Sequence, residues 1–313
     1  MLAANCSVQS RAVEATVATL LALECGLGLL GNSVALWTFA FRLKVWKPYA
    51  VYLLNLVTAD LLIAVCLPFH AAFYLGRKTW RLGPASCRSL LFLRVLGRGV
   101  GVAFLTAVAV DRYFRVVHPR LKVNLLSPRA AWGVSGCVWL LLLGLTHQSL
   151  LVPAAACPGL EPGAELSFSA AWQEALIFAQ VVLPFGLILF CNVRVIRTLR
   201  RRLRDPGGQP KLQRARALVT VVVVLFAACF LPSLLARVLV AVFRAAGGCR
   251  ALGVMVHVSD VSNSLAYLQS VLNPAVYCFS NPAFRHSYRK VFNTLRGRGR
   301  EAEAPGDIKD SYS

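Results

Sequence analysis

Two arginines, Arg94 and Arg98, lie one helical turn apart inside an apolar stretch that runs from Cys87 to Tyr113. An arginine at the centre of a membrane-spanning helix costs at least about 2.5–3.5 kcal/mol, so a charge kept there indicates a functional site. The planar guanidinium matches a carboxylate with two parallel hydrogen bonds, and a low dielectric strengthens that pair. The two residues therefore predict a site that receives an anion. The alternative is that they are structural partners for a buried acid.

The far end of the same stretch carries a second charged group, Asp111 and Arg112, followed by Tyr113. As an α-helix, the stretch from Cys87 to Arg112 would be about 37 Å long, slightly more than the hydrocarbon thickness of a bilayer, about 30 Å. Arg98 precedes Arg112 by nearly four whole helical turns, so both face roughly the same way. One helix is therefore expected to carry an anion site near one membrane surface and a charged group at the other.

The composition of the chain indicates a membrane protein. Its 313 residues are 57% hydrophobic and carry a formal net charge of +21, which in a soluble protein would suggest nucleic-acid binding. Most of the 34 Lys and Arg residues, however, fall on one side when the apolar segments are threaded through a bilayer. This positive-inside asymmetry predicts an extracellular N-terminus and a cytoplasmic C-terminus in a multi-pass plasma-membrane protein. It also argues against nucleic acid as a partner.

Seven apolar segments are long enough to cross a bilayer and must position these charges. They cover residues 17–41, 49–75, 85–116, 128–151, 172–200, 213–243 and 252–278. A shorter segment, 282–295, has apolar residues on one side and basic residues between them, which predicts a helix lying on the anionic lipids of the inner leaflet.

The predicted fold is therefore an all-α membrane protein, a seven-transmembrane helix bundle with a short interfacial eighth helix. Its parts are an extracellular N-terminus (1–16), the transmembrane domain (17–280), the amphipathic helix (281–296) and a disordered cytoplasmic tail (297–313).

One motif per apolar segment, in chain order, resembles the motifs of the rhodopsin-like (class A) G-protein-coupled receptors. They are Asn32, Asp60, Cys87, Asp111-Arg112-Tyr113, Trp139, Pro184, CFLP at 229–232 and NPAVY at 273–277. Within that class, the stretches VWKPYAVYLLNL, RVVHPRLKVNLLSP and QPKLQRARALVT and the terminal DSYS are similar to the hydroxycarboxylic-acid and eicosanoid receptors.

This resemblance implies that Arg98 holds the carboxylate of a ligand and that the inner face binds a heterotrimeric G protein of the inhibitory class. The expected ligand is an anionic lipid, a hydroxylated long-chain fatty acid such as 12-hydroxyeicosatetraenoic acid. The alternatives are a small hydrophilic carboxylate of the lactate or pyruvate type, or a proton-modulated receptor. Further ligand contacts are expected from Arg94, Arg237, His70, Tyr74 and Tyr267, each of which could instead be a packed or interfacial polar side chain.

The resemblance also implies a switch at the inner face. Its expected members are Asp111, Arg112, Tyr113, Phe230, Pro232, Asn273, Pro274 and Tyr277. Asp60 could join Asn32 and Asn273 in a sodium or water site, although Gly101 stands where a hydroxyl group usually helps.

Four cysteines fall in segments predicted outside the membrane, which suggests two disulfides. The resemblance implies the pairings Cys87–Cys157 and Cys6–Cys249. Asn5, in Asn5-Cys6-Ser7, fits the pattern of a glycosylation acceptor.

Other classes of protein fit the sequence less well. A transporter would be expected to show inverted repeats and half-helices, and the sequence shows neither. The five histidines are scattered without the spacing of a metal site, and no paired acids lie in the apolar segments. No enzymatic activity, metal or cofactor is therefore expected.

Overall fold

The computed structural model describes residues 10–121, 126–151, 168–202, 210–246, 249–280 and 282–295. Within these ranges the regular structure is helical, which confirms the predicted all-α class. The elements are α1 (Arg11–Phe41), α2 (Pro48–Leu75), α3 (Pro84–Val117), α4 (Pro128–Thr146) with a 3₁₀ turn (His147–Leu150), α5 (Phe168–Arg202), α6 (Pro210–Ala246), α7 (Cys249–Ser280) and α8 (Pro282–Leu295).

Six of these helices, α1 to α6, are long and apolar enough to cross a membrane. The seventh, α7, has 32 residues, which also suffices for a crossing, but polar residues interrupt it more often. Several helices begin earlier than their apolar segments. Residues 11–16, predicted as part of the N-terminal segment, form the first turns of α1 because a helix continues past the membrane surface wherever its residues allow it.

Proline sets the start of several helices. Pro48, Pro84 and Pro128 each occupy the first turn of a helix, where the missing N–H group has no intrahelical partner to lose. At α4 the side chain of Ser127 also accepts a hydrogen bond from the backbone N–H of Ala130, at 3.2 Å. These residues fix where the chain turns from each loop into the bundle.

The α2 helix is the most buried of the spanning helices and holds its neighbours by polar contacts as well as packing. The Trp139 Nε1 group of α4 donates to Asn55 Oδ1 at 2.8 Å, and Asn55 Nδ2 donates to Ser135 Oγ at 3.2 Å. On the opposite side, Gly97 brings α3 so close that an added Cβ would lie 2.9 Å from Ile63 Cγ1. This close approach fixes the position of α3 against α2, and with it the position of Arg98, the next residue of α3.

The α8 helix packs against the end of the bundle through an aromatic anchor. Phe284 is buried and lies edge-on to Phe39 of α1, with ring centroids 4.8 Å apart. The hydroxyl of Tyr288 donates to the carbonyl of Gly31, where α1 also meets Pro274 of α7 closely. The predicted eighth helix therefore has the expected bounds and is anchored to α1.

Candidate functional site

The central cation of the candidate site is Arg98, which is partly buried on the face of α3 that meets α7. Its guanidinium carbon lies 5.0 Å from the ring centroid of Tyr267, a cation–π contact with a buried aromatic ring. Such a contact holds the guanidinium in place without neutralising its charge. In the described part of the chain, the carboxylates that form ion pairs are Asp111 and Asp260, and neither pairs with Arg98.

Arg94, one turn earlier on α3, reaches α2. Its Nη1 lies 3.2 Å from Nε2 of His70, and the ring of His70 lies 6.2 Å from that of Tyr267. Since a guanidinium can only donate, His70 must accept with an unprotonated Nε2, and the imidazole is therefore neutral. Arg94, Arg98, His70 and Tyr267 together form what is called here the Arg98 cluster. It has two positive charges, and no acid of the described residues forms an ion pair with them.

A second cluster lies one turn further along α2. The Tyr74 hydroxyl donates to Asp260 Oδ1 at 3.0 Å, and Lys78 Nζ forms an ion pair with Asp260 Oδ2 at 3.0 Å. Both charged side chains are more than nine-tenths buried. These three residues are called here the Lys78 cluster. The hydroxyl of Tyr74, expected from the sequence to face a ligand, thus has a protein acceptor.

An unusual backbone turn delivers Lys78 to this acid. Arg77 and Lys78 have φ angles of 55° and 56°, in the left-handed region that non-glycine residues seldom occupy. The N–H of Lys78 donates to the carbonyl of Phe73 at 2.9 Å, so the chain folds back over the end of α2. The ammonium group then lies 6.0 Å from the ring of Tyr74. Neither Lys78 nor Asp260 was identified from the sequence, although an acid in an apolar segment was a visible signal.

A small cavity connects the Arg98 cluster with the middle of the bundle. It has a volume of about 20 Å³ and is lined by residues from four helices. These include Asp60, Arg98, Gly101, Phe230, Tyr267, Gln269 and Ser270. By volume, the cavity can hold a water molecule but no organic ligand.

The predicted polar group around Asp60 is assembled beside this cavity. Asn273 Nδ2 donates to Asp60 Oδ2 at 2.8 Å, and the Ser270 hydroxyl lies 3.5 Å from the Asp60 carbonyl. Asn32 Nδ2 donates to the carbonyls of Ser270 and Gly28, at 3.1 and 3.0 Å. The structure therefore brings Asp60, Asn32 and Asn273 together, with Ser270 as the link between the two asparagines.

At the other end of α3, Asp111 Oδ2 accepts a hydrogen bond from Arg115 Nε at 2.8 Å, so the acid has an ion pair one turn along its own helix. Sequence reasoning did not identify Arg115. The Tyr113 hydroxyl lies 3.0 Å from His118 Nε2. Tyr277 is buried, and its hydroxyl has no hydrogen-bond partner among the residues that the structure describes.

On α6, Phe230 lies directly before Leu231 and Pro232, and its ring centroid is 4.5 Å from that of Phe226. Because Phe230 also lines the cavity, it connects the Arg98 cluster with the proline of α6.

Several predicted site residues stay predictions. Arg237 lies in α6, but its side chain is outside the described residues, as is that of Cys249 at the start of α7. Cys87 is buried near the start of α3. Asn5, Cys6 and Cys157 lie outside the described residues, so neither disulfide nor the glycosylation pattern is tested.

Comparison with known proteins places this geometry in a family context. Residues 31–277 match the family described as 7 transmembrane receptor (rhodopsin family). The chain is 64% identical to the human 12-(S)-hydroxy-5,8,10,14-eicosatetraenoic acid receptor and 59% identical to that of Mus musculus, each over 99% of both chains. It is 38% identical to human hydroxycarboxylic acid receptor 2, over 94% of this chain and 81% of the relative.

Proposed function

The chain belongs to the rhodopsin family of seven-transmembrane receptors, and on that premise we propose that it is a plasma-membrane receptor for an anionic lipid. The lipid is a hydroxylated long-chain fatty acid of the 12-hydroxyeicosatetraenoic acid type, as the names of the human and mouse relatives suggest. The observation that carries the proposal is Arg98, a partly buried cation that lies against the aromatic ring of Tyr267 and forms no ion pair with a carboxylate of the described residues. Two positive charges that form no ion pair with an acid of the described residues favour a negatively charged ligand.

The ligand carboxylate binds Arg98, with Arg94 one turn further out as a second donor. Bidentate pairing suits the guanidinium, and the Tyr267 ring holds its orientation while the carboxylate approaches. A drug-sized ligand occupies about 300–1,000 Å³, far more than the cavity of about 20 Å³ beside Arg98. The acyl chain therefore needs space outside this cavity, between the helices around the Arg98 cluster, and the Arg94–His70 contact would rearrange as the chain enters.

Binding activates the receptor because the ligand interacts more favourably with the open arrangement than with the closed one. Phe230 lines the same cavity as Arg98, so a shift of the guanidinium reaches α6 directly before Pro232. Outward movement of α6 about this proline then exposes the inner face around Arg112 to a G-protein helix. The G protein is of the inhibitory class, and the basic inner segments support an extracellular N-terminus and a cytoplasmic C-terminus.

A receptor for a small hydrophilic carboxylate is the second candidate. The small volume of the cavity favours it, since a compact acid at Arg94 and Arg98 would need less displacement of helices. Competition between a short-chain and a long-chain acid separates the two candidates.

The test is a G-protein activation assay with carboxylic acids of graded chain length, on wild type, Arg98→Ala, Arg98→Lys and the control Arg81→Ala. Arg81 is an exposed arginine in the α2–α3 loop, so its removal also takes away one positive charge. Loss of a buried charged hydrogen-bonding partner costs about 2–5 kcal/mol, so Arg98→Ala should lower potency about 30-fold or more. Arg98→Lys should restore part of it, and the methyl ester of the acid should be weak on every variant.

Normal potency of Arg98→Ala at normal surface expression would show that Arg98 does not hold the ligand. If acids of two to four carbons had the highest potency, the ligand would be a small carboxylate and not a lipid.

A further inference from the structure

Asp111, near the inner end of α3, interacts with two arginines of the same helix. Its Oδ2 accepts a hydrogen bond from Arg115 Nε at 2.8 Å, and the two side chains form an ion pair. Arg112, the residue that follows Asp111, also interacts electrostatically with this carboxylate. One negative charge is therefore shared by two guanidinium groups, and a stronger pair with Arg115 leaves less compensation for Arg112.

The geometry of the helix favours Arg115 in this competition. Side chains four residues apart lie on the same face of an α-helix, whereas adjacent side chains point about 100° apart. Asp111 and Arg115 can therefore meet directly, while Arg112 points along another face of α3. The side chain of Asp111 is 14% exposed and that of Arg115 36%, so water weakens the pair only in part. The pair holds the carboxylate on a face of α3 that is not the face of Arg112.

The neighbouring helices supply no other acid that could restrain Arg112. The sequence of α6 (Pro210–Ala246) contains no Asp or Glu. In α5 (Phe168–Arg202) the one acid is Glu174, near the outer end, and the inner end is basic. An ion pair between Arg112 and the inner end of either helix is therefore excluded by composition. Among the inner ends of the described helices, Asp111 is the acid on which the restraint of Arg112 depends.

We propose that Arg115 is a positioning residue for the G-protein switch. By pairing with Asp111 it weakens the restraint on Arg112, and so raises signalling in the absence of ligand. The closed arrangement of the inner face is stabilised less when Asp111 is shared. In the open arrangement a G-protein helix covers Arg112 and offers it new acceptors, so this arrangement depends less on Asp111. The inference rests on the proposed G-protein coupling and movement of α6, and is independent of which ligand binds at Arg98.

The experiment measures nucleotide exchange on a purified G protein by ligand-free receptor in nanodiscs, at equal receptor concentration. Arg115→Gln should lower the exchange rate about two- to fivefold, because Asp111 then restrains Arg112 alone. Arg115→Lys keeps a cation four residues from Asp111 and should stay close to wild type. The matched control is Arg129→Gln, which removes an exposed positive charge at the start of α4 and should leave the rate unchanged. An equal loss in this control would attribute the effect to net charge and overturn the proposal.

A double variant separates this role of Arg115 from a direct contact with the G protein. Asp111→Asn removes the acid from both arginines and should raise the exchange rate. Asp111→Asn/Arg115→Gln should then have the same rate as Asp111→Asn, because no carboxylate remains at position 111. A further loss in the double variant would show that Arg115 contacts the G protein itself, and would overturn the proposal. If Asp111→Asn does not fold, the comparison of Arg115→Gln with Arg115→Lys decides, since an unchanged rate in the first, or an equal loss in both, contradicts the proposal.

The failure of this inference can be distinguished from a failure of the proposed function. No ligand is used, so the absence of any response to acids would leave the exchange rates of these variants unaffected. The assay is run with G proteins of the inhibitory and the stimulatory class. Exchange on the stimulatory class alone would contradict the proposed G-protein class and leave the role of Arg115 intact. A wild-type rate no higher than that of empty nanodiscs on both classes would overturn the inference.

Discussion

The Lys78 cluster and the Arg98 cluster take one side chain each from consecutive turns of α2, Tyr74 and His70, yet they hold positive charge in different ways. Lys78 touches its acid, Asp260, at 3.0 Å, and the Tyr74 hydroxyl binds the second carboxylate oxygen. Arg98 has an aromatic ring beside it and forms no ion pair with a carboxylate of the described residues. A cation in a direct, buried ion pair is already compensated, whereas a cation that contacts no acid of the described residues can still accept an anion. The Lys78 cluster therefore joins α7 to the end of α2, whereas the Arg98 cluster can bind an anion.

The largest effect that tests this difference is expected from Asp260→Asn. The substitution breaks the buried ion pair between Lys78 and Asp260, and removing one partner of such a pair destabilises a protein by about 3–5 kcal/mol. Surface expression and the midpoint of thermal unfolding should both fall sharply. The double variant Lys78→Met/Asp260→Asn should recover most of the loss, because it removes both charges together.

Arg98→Met is the matched comparison for the second cluster. Its unfolding midpoint should fall less than that of Asp260→Asn, because no direct ion pair is broken, while its response to acids is lost. If Asp260→Asn were as stable as wild type, the ion pair of the Lys78 cluster would not stabilise the bundle.

A smaller effect is expected from Gly97→Ala, which sharpens how the Arg98 cluster is positioned. The added methyl group would lie 2.9 Å from Ile63 Cγ1 and 3.3 Å from the carbonyl of Ala59, so α2 and α3 must separate slightly. Overpacking of this kind costs about 1–3 kcal/mol. The unfolding midpoint and the acid potency should fall together, because Arg98 follows directly on α3.

The control for this substitution is Gly133→Ala on α4, where an added Cβ meets nothing within 4 Å. It should leave both quantities unchanged. Unchanged potency in a destabilised Gly97→Ala variant would show that ligand binding does not depend on the close approach of α3 to α2.

The two clusters differ in how far the sequence could predict them. Arg98 and Arg94 stand out because a charge in an apolar segment is a strong local signal, and the helical period alone places them on one face. The contact of Arg94 with His70 joins α2 to α3, and no local pattern contains such a pairing. The Lys78 cluster depends on two residues with positive φ, which composition does not reveal.

The fold was predicted more completely than the site, for the same physical reason. Hydrophobic length defines a membrane span within one segment, so each spanning helix and the amphipathic α8 could be identified separately. Helix starts were less accurate at α1, where the helix begins at Arg11, since polar residues also form helices outside the membrane.

Tyr267 provides the next prediction, because its ring is the group that Arg98 contacts. Tyr267→Leu removes a cation–π contact worth about 0.5–2 kcal/mol, and acid potency should fall about 2- to 30-fold. Tyr267→Phe keeps the ring and should stay close to wild type in the same G-protein activation assay. A large loss in Tyr267→Phe would instead show that the hydroxyl, and not the ring, supports binding.

The smallest effect is expected from Tyr74→Phe, and it tests the boundary between the two clusters. The hydroxyl donates to Asp260, and a hydrogen bond of this kind contributes about 1 kcal/mol, so the unfolding midpoint should fall by a few degrees at most. Acid potency should change less than about twofold, because Tyr74 belongs to the Lys78 cluster and not to the Arg98 cluster. A strong loss of potency without a loss of stability would mean that the ligand displaces Asp260 from Tyr74. The ligand would then reach both clusters, and Lys78 would take part in ligand binding together with Arg98.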